Sequence, residues 1–378
     1  MGGFKLVEVR SVGGDLVVSF RGRGVSIAST VIGGGIASGV KYAIFHRVDS
    51  DFRGDPRSEA ESALRSLGLS VSESLVFLTA VDVTKYHVVL ESSISDITVC
   101  VIVTLGLTNA VTVPQSHSDV ERVAHYNSTI PHTINILAVT NRALSSLALV
   151  DAVKTVSEAK AYAMYCLDYR VNGKLAIGTS TDAIAIVSLG RGKPLPYAGV
   201  LTKVGALLSM LTCKAIVKCA EEKWGLRRQR SIIDRLGEYG IKLSDIVDAA
   251  LELFIPHSSS NSGRSVREVL EGEVRRVLDD VNVASLVIAA LKLHEIASLN
   301  LLPGMEAKEY NGDPVRLVAD EILGLALALY LNGWNAVFEY YRYDTRKPGI
   351  ISKLPPFVDD IVSALIGGVT SRIYSKTG

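Results

Sequence analysis

Glu221-Glu222-Lys223-Trp224-Gly225-Leu226-Arg227-Arg228-Gln229-Arg230 divides the chain into two compositions. The stretch is dense in charge and carries one Gly, and it reads as a helix end followed by a boundary. Before it, β-branched residues, Gly and Thr predominate. Apolar runs at 16–20, 75–78, 98–104, 134–139 and 183–187 read as strands, and 146–167 and 202–223 as helices. After it the strand signal stops. Segments 232–236, 243–254, 266–278, 281–302, 314–331 and 357–374 suit helices, with Ser244 and Asp313 as expected N-caps and Pro314 at a first helical position. The polar run 257–263 reads as a loop. The expectation is two domains: a mixed α/β domain with a sheet core over 1–224, and an all-α domain over 225–378.

Bulk properties narrow the function. The 378 residues suit two domains at roughly 100–200 residues each. A formal charge of +1 gives no basic surplus for a nucleic-acid backbone. Cys100, Cys166, Cys213 and Cys219 form no CxxC pair, so neither a zinc site nor a disulfide framework is expected, and a reducing cytoplasm fits. The opening Met1-Gly2-Gly3 lacks the Ser or Thr at position 6 that lipidation would need. The apolar stretch 281–302 contains Lys292, His294 and Glu295, and is expected to be a buried helix rather than a membrane span.

The sharpest chemical signal lies near the C-terminus. Asp320-Glu321 sits within Leu317-Val318-Ala319 and Ile322-Leu323-Gly324-Leu325, and Asp359-Asp360 sits between Phe357-Val358 and Ile361-Val362. Asp344 follows Arg342-Tyr343 and precedes Lys347. Carboxylates in apolar helices are costly without a compensating cation. Mg²⁺ prefers carboxylate and water oxygens, commonly bridges to phosphate, and can polarise a phosphoryl group. Arg342 and Lys347 could then neutralise phosphate oxygens. The competing reading has the acids capping helices and pairing with Arg316, Arg342, Lys347 and Arg372.

The order Asp320-Glu321-Ile322-Leu323-Gly324, Arg342-Tyr343-Asp344 with Lys347-Pro348-Gly349, then Phe357-Val358-Asp359-Asp360 resembles the phosphatidylglycerophosphatase A family, and more closely the archaeal α-ribazole phosphatases of that fold. The resemblance implies Asp320, Glu321, Asp359 and Asp360 as ligands to Mg²⁺ or another divalent cation, with Glu295 as a further candidate. It also implies Asp344 and Lys347 as catalytic residues, Arg342 as a substrate contact, and α-ribazole 5′-phosphate as substrate.

In the N-terminal half, Gly33-Gly34-Gly35 lacks the third glycine of a dinucleotide fingerprint and suits a turn where backbones approach closely. Polar residues interrupt the β-rich segments at Thr79-Ala80-Val81-Asp82, Thr104–Ala110 (with Asn109), Thr133-Ile134-Asn135, Glu158-Ala159-Lys160 and Gly178-Thr179-Ser180-Thr181-Asp182. Together with Tyr197-Ala198-Gly199, this series is similar to the adenosylcobinamide amidohydrolase family over about 29–205. The resemblance implies hydrolysis of the aminopropanol amide of adenosylcobinamide to adenosylcobyric acid. Asp182 is the expected general acid or base, with Thr179, Ser180 or Thr181 supplying a hydroxyl. Asn109 and Asn135 are expected as donors to the substrate or an oxyanion. Glu158 and Lys160 are expected to pair on their helix. Gly34, Asp82 and Lys203 are further substrate-contact candidates. Relatives often carry His where Leu201 stands, and His132 occupies a place usually held by Gly. The leading reading is therefore a bifunctional hydrolase of cobamide metabolism. The alternative is a corrinoid-binding or regulatory protein with a degenerate amidohydrolase half. Neither nucleic acid nor a membrane span is expected, and self-association is left open.

Overall fold

The computed structural model describes residues 5–114, 117–124, 133–255 and 265–377. The readings made for residues 1–3, His132 and 257–263 lie outside them. The chain forms two compact units, Met1–Arg228 and Gln229–Gly378. They part after Arg228 rather than after Trp224, because the charged stretch is still held by the first unit. Leu226 N donates to Ala220 O at 2.8 Å, and the Trp224 ring meets Tyr86 edge-on at 5.3 Å.

The first unit contains β1 (Val7–Val12), β2 (Asp15–Ala28), β3 (Gly35–Arg47), β4 (Ser74–Thr79), β5 (His87–Ile94), β6 (Ile97–Leu105), β7 (Ala110–Val111), β8 (Ile134–Thr140), β9 (Arg170–Val171), β10 (Lys174–Leu175), β11 (Gly178–Thr179) and β12 (Ala183–Ser188). Its helices are α1 (Pro56–Ser66), α2 (His117–Ala124), α3 (Ser146–Cys166) and α4 (Lys203–Lys218). Eight strands form one mixed sheet in the order β4-β3-β2-β12-β8-β6-β5, with β1 paired to β2. β8 and β12 run parallel, as do β3 and β4, while β2 and β6 run against their neighbours.

Side chains from both ends of this sheet meet in one cluster: Phe45 and Phe77 from β3 and β4, Cys100 and Ile102 from β6, Leu137 from β8. Asn135 Nδ2 of β8 also reaches Leu78 O of β4 although three strands stand between them in the sheet order, so the sheet coils on itself around this core. The opposite face is covered by α3 and α4 over β6, β8 and β12, and by α1 over β3 and β4. β6 is buried at every residue, which explains its unbroken apolar run where a half-exposed strand would alternate.

The second unit is helical: α5 (Ile232–Glu238), α6 (Leu243–Leu253), α7 (Val266–Leu278), α8 (Val281–Ser298), α9 (Ala307–Tyr310), α10 (Ala319–Arg346) and α11 (Pro356–Thr377). Two expected caps are displaced. Lys242 caps α6, which leaves Ser244 in the first turn. Asp313 adopts φ +52° and closes the turn after α9, donating its N–H to Tyr310 O at 3.1 Å. Pro314 accepts from Leu317 N in a further turn, so the helix begins only at Ala319.

α10 is broken at Asn332 (φ −156°, ψ 30°) and Gly333 (φ 59°, ψ −145°). A straight helix would separate Gly324 and Tyr340 by roughly 24 Å. Instead a Cβ placed on Gly324 would lie 2.6 Å from the Tyr340 hydroxyl. The two arms, 319–331 and 334–346, therefore fold back on each other as a helical hairpin. The hairpin lies along α11, where Gly367 and Gly368 admit Tyr340 and Leu331 to close contact. Asn332 Nδ2 fastens the bend to Ser371 Oγ and Ser375 Oγ at 3.2 and 3.1 Å. By length and composition α8 and α10 are each long and apolar enough to cross a membrane, and the break at Asn332–Gly333 halves α10.

α1 is tied to the sheet by His46, whose Nδ1 lies 2.8 Å from Asp15 Oδ2 and whose Nε2 lies 3.2 Å from Glu59 Oε1. The hydrogen bond to Asp15 raises the His46 pKa above 6.5 against the opposing effect of burial. A histidine raised in the folded state stabilises fully below its unfolded pKa, and that contribution is lost as pH rises through the folded value. His46→Gln should therefore cost roughly 1–2 kcal/mol at pH 6 and clearly less at pH 9, measured by urea denaturation. An equal cost at both pH values would show that the ring acts through packing alone.

Candidate functional site

In the first unit the polar residues converge at the end of the sheet where β8 and β12 begin. Asp182 immediately precedes β12. It receives Ile134 N at 3.0 Å on Oδ1 and Thr179 N at 3.0 Å on Oδ2. Thr179 Oγ1 also donates to Oδ1, and Lys160 Nζ, reaching down from α3, donates to Oδ2. Both side chains of the ion pair are largely withdrawn from solvent. Gly178, at φ +154°, is required here, since a Cβ would run into the Asp182 carboxylate and the Lys160 ammonium. β11 pairs with β7, which brings buried Asn109 beside exposed Ser180, and Asn109 Nδ2 donates to Ser180 Oγ at 2.9 Å. Thr133 Oγ1 donates to Thr181 O at 2.8 Å, and Asn135 Nδ2 reaches across the coiled sheet to Leu78 O at 3.4 Å.

The structure thus gathers Asn109, Asn135, Thr179, Ser180, Thr181 and Asp182. It pairs Lys160 with Asp182, not with Glu158 as expected, because successive helix residues face different ways. Glu158 instead lines a cavity of about 430 Å³ between α3 and α4, with Tyr162, Val200, Met210, Cys213 and Lys214. The turn at Gly34 lies at the Asp182 end, since neighbouring Ser29 accepts from Ile184 N at 3.0 Å. A Cβ on Gly34 would meet Thr30 O at 2.5 Å, so its role is close backbone approach. The Asp82 carboxylate is taken up by its own turn. The Thr84 hydroxyl at 2.6 Å and Lys85 at 3.1 Å hold its pKa down to about 2.

Lys203 lies elsewhere. Its Nζ donates to Ser95 Oγ at 3.2 Å on the β5–β6 hairpin, beyond the other end of β6 and β8. The pairing Val99–Thr140 and Leu105–Ile134 puts roughly 20 Å between that end and Asp182. The 197–201 loop is fastened to the first half of α3 by Ala198 N to Asp151 Oδ2 and by Thr155 Oγ1 to Ala198 O, both 3.1 Å. Leu201 is 98% exposed.

In the second unit the α10 hairpin sets Asp320 and Glu321 of one arm near Asp344 of the other, and α11 adds Asp359 and Asp360. Among the described residues, Asp320, Glu321 and Asp360 can each offer an oxygen so that all three lie within 4.8 Å of one another. Asp320 is fully buried, and its Oδ2 has no hydrogen-bond partner. Burial, with Glu321 and Asp360 adding repulsion, pushes its pKa up to about 8. Burial raises Asp360 to about 7 and Asp359 to about 6, although Tyr340 Oη donates to Asp360 and Lys347 Nζ lies 2.6 Å from Asp359. Asp344 is raised by burial too. An all-carboxylate set with an orphaned buried oxygen suits a hard divalent cation.

Two expectations do not join this cluster. Arg342 is committed to Glu339 at 2.8 Å and to Leu253 O at 2.5 Å, because its place on the arm points it toward α6. Glu295 is engaged by Tyr239 Oη and by Lys292 at 3.2 Å. Sequence reasoning missed Tyr340, which lies beyond the helix read over 314–331 and two residues before Arg342-Tyr343-Asp344, because its contact with Asp360 depends on the fold.

A buried carboxylate–ammonium pair ringed by hydroxyl and amide groups stands at the end of the coiled mixed sheet. Residues 6–228 match the profile of the adenosylcobinamide amidohydrolase family. The chain belongs to that family. An uncharacterized protein of Methanocaldococcus jannaschii is 36% identical over 133 residues, covering 34% of this chain and 99% of that protein. An adenosylcobinamide amidohydrolase of Halobacterium salinarum is 32% identical over 108 residues, covering 29% of this chain and 44% of that enzyme. Among solved structures, the low temperature requirement C protein of Listeria monocytogenes shares 26% identity, covers 38% of this chain and 92% of its own, and superposes with a TM-score of 0.34. Protein ypjQ of Bacillus subtilis shares 25% identity, covers 38% and 91%, and has a TM-score of 0.33.

A carboxyl raised in the folded state favours folding while protonated, and that advantage drains away as pH rises from about 4 through the folded value. Without added metal, the second unit should therefore be less stable at pH 8.5 than at pH 6. Asp320→Asn should raise the midpoint of thermal unfolding at pH 8.5 by several degrees, about 1–2 kcal/mol, and change it little at pH 5. Calorimetry at the two pH values checks this, and a loss of stability at pH 8.5 would contradict the repulsion.

Proposed function

We propose that the first unit hydrolyses the amide joining aminopropanol to the corrin side chain of adenosylcobinamide, releasing adenosylcobyric acid. The observation that carries this reading is the Asp182–Lys160 pair within a family-matched unit. Both Asp182 oxygens are already occupied by donors, so it takes and returns a proton through Lys160 and Thr179 rather than by touching the substrate. Lys160 stands to protonate the departing amine. Asn109 orients the Ser180 hydroxyl, and with Thr181 and Asn135 it surrounds the place where the carbonyl oxygen gains charge. Water adds to the carbonyl carbon, the C–N bond breaks, and the products are a carboxylate and aminopropanol.

The second unit is proposed to release phosphate from α-ribazole 5′-phosphate. Asp320, Glu321 and Asp360, with Asp359 and Asp344 beside them, would hold a divalent cation such as Mg²⁺. Bound there, it would polarise the phosphoryl group. Lys347, held by Asp359, would meet phosphate oxygens. Both substrates are small solutes of cobamide metabolism, and four free thiols suit a reducing cytoplasm.

The binding-module alternative starts from Leu201. That residue is 98% exposed in the loop fastened to Asp151 and Thr155 of α3, whereas the groups that hold Asp182 come from Ile134, Thr179 and Lys160. Chromatography of adenosylcobinamide incubated with the protein separates the two readings, since binding without formation of cobyric acid would favour the alternative.

Asp182→Asn and Lys160→Met should each lower hydrolysis of adenosylcobinamide by about 100-fold or more while phosphate release persists. Chelation by EDTA should abolish phosphate release, with recovery on adding Mg²⁺, and leave amide hydrolysis unchanged. Asp344→Asn should abolish phosphate release in the presence of metal. A phosphatase fully active in EDTA, with no metal by elemental analysis, would return the acids to a structural role.

A further inference from the structure

The α10 hairpin buries one side against α11 and leaves the other uncovered. On the buried side lie Gly324, Leu327, Ala328 and Leu331 of the first arm and Ala336, Tyr340 and Tyr343 of the second. The uncovered side is apolar. Ile322 and Leu329 are exposed on the first arm, and Trp334, Phe338 and Tyr341, spaced by four and three residues, are 67%, 70% and 68% exposed on the second. No charged residue occurs from Ile322 to Phe338.

We infer that this face is the interface through which two copies of the chain pair, hairpin against hairpin, as a four-helix layer about a twofold axis. Three considerations select a second copy as the occupant. The first is area. Buried aromatics contribute roughly 150–250 Å² each, so the exposed parts of Trp334, Phe338 and Tyr341 alone supply roughly 300–500 Å². With Ile322, Leu329 and Val318 the face exceeds what a monomer usually exposes and approaches the roughly 800 Å² per partner of a stable dimer. The second is composition. Large aromatic anchors without charge, running from the bend along the second arm, are what interface cores contain.

The third is charge. A helix lying on a membrane surface carries Lys and Arg along its polar margin. Here no Lys or Arg occurs between Ile322 and Tyr341, and the hairpin's open end meets the acids Asp320, Glu321 and Asp344. Arg346 and Lys347 stand at that end too, so it carries both signs and forms no basic margin along the apolar face for anionic lipid. A second copy related by a twofold axis can instead place the bend at Trp334 beside the partner's open end, which keeps the two acid clusters apart.

Sedimentation equilibrium of the full chain tests this. The expected result is a dimer at about 50 μM, with Trp334→Glu and Phe338→Glu each weakening association by about 30-fold or more while the circular dichroism spectrum is retained. Trp334→Ser and Phe338→Ser provide a milder pair should a glutamate variant fail to fold, and they too should weaken the dimer. A native chain that stays monomeric at that concentration would overturn the proposal. So would a dimer indifferent to all four substitutions. Flotation with phosphatidylcholine–phosphatidylglycerol vesicles, lost in the same variants, would reassign the face to lipid and equally overturn it.

Discussion

Mutual repulsion among buried carboxylates sets the terms for the second unit. Asp320, Asp359 and Asp360 are all withdrawn from water, and Asp344 is half-buried beside them. Such a group is costly to assemble, and the surrounding packing determines where it stands. The bend at Asn332–Gly333 returns the second arm toward the first, the glycines of α11 let that arm approach, and the Tyr340 hydroxyl takes hold of Asp360 across the gap. Lys347, at φ +42° just beyond the last turn of α10, provides an ammonium in direct contact with Asp359. The bend and the glycine approaches together allow Asp320, Glu321 and Asp360 each to offer an oxygen within 4.8 Å of the others.

The first unit answers a similar problem differently. Its buried carboxylate, Asp182, is satisfied within the protein by two backbone N–H groups, a hydroxyl and an ammonium. These donors come from β8, β11 and α3, so the site exists only when sheet and helix are both in place. A two-residue strand pair, β7 with β11, brings Asn109 to Ser180 across 71 positions of sequence. The sheet's coil closes its own core, and the helices are left free to position Lys160.

Much of this was legible in the sequence. The strands at 98–104, 134–139 and 183–187 stand out because a sheet buried on both faces is continuously apolar. The change near Trp224 marked a boundary because strand-forming composition stops there. The acids were conspicuous because ionisable residues in apolar helices have few reasons to exist. What was hidden depended on side-chain direction or on distance. Lys160 and Glu158 lie near each other in sequence, yet only the helix's rotation against the sheet decides which meets Asp182. Arg342 looked like a phosphate contact from its place beside Asp344, but its side chain leaves on the α6 side. Lys203 shares a motif-rich stretch with the amidase series and stands at the wrong end of the strands. The helix read over 314–331 stops one residue short of the bend at Asn332-Gly333, and what was hidden is that the chain resumes as a second helical arm over 334–346.

The order of the strands also fixes an order in time. β12 lies in the middle of the sheet, between β2 and β8, yet of the eight strands it is synthesised last, and Ser29 must wait for Ile184 across 155 positions. Until β12 inserts, β2 and β8 present open edges toward each other, and partly built sheets with unpaired edges are prone to wrong associations. The α10 hairpin closes over a few neighbouring turns and needs no such delay. A nascent chain of this protein therefore completes its slow, long-range half only when the strand that follows Asp182 arrives, and the carboxylate that Lys160, Thr179 and Ile134 enclose is delivered by the same event that seals the fold.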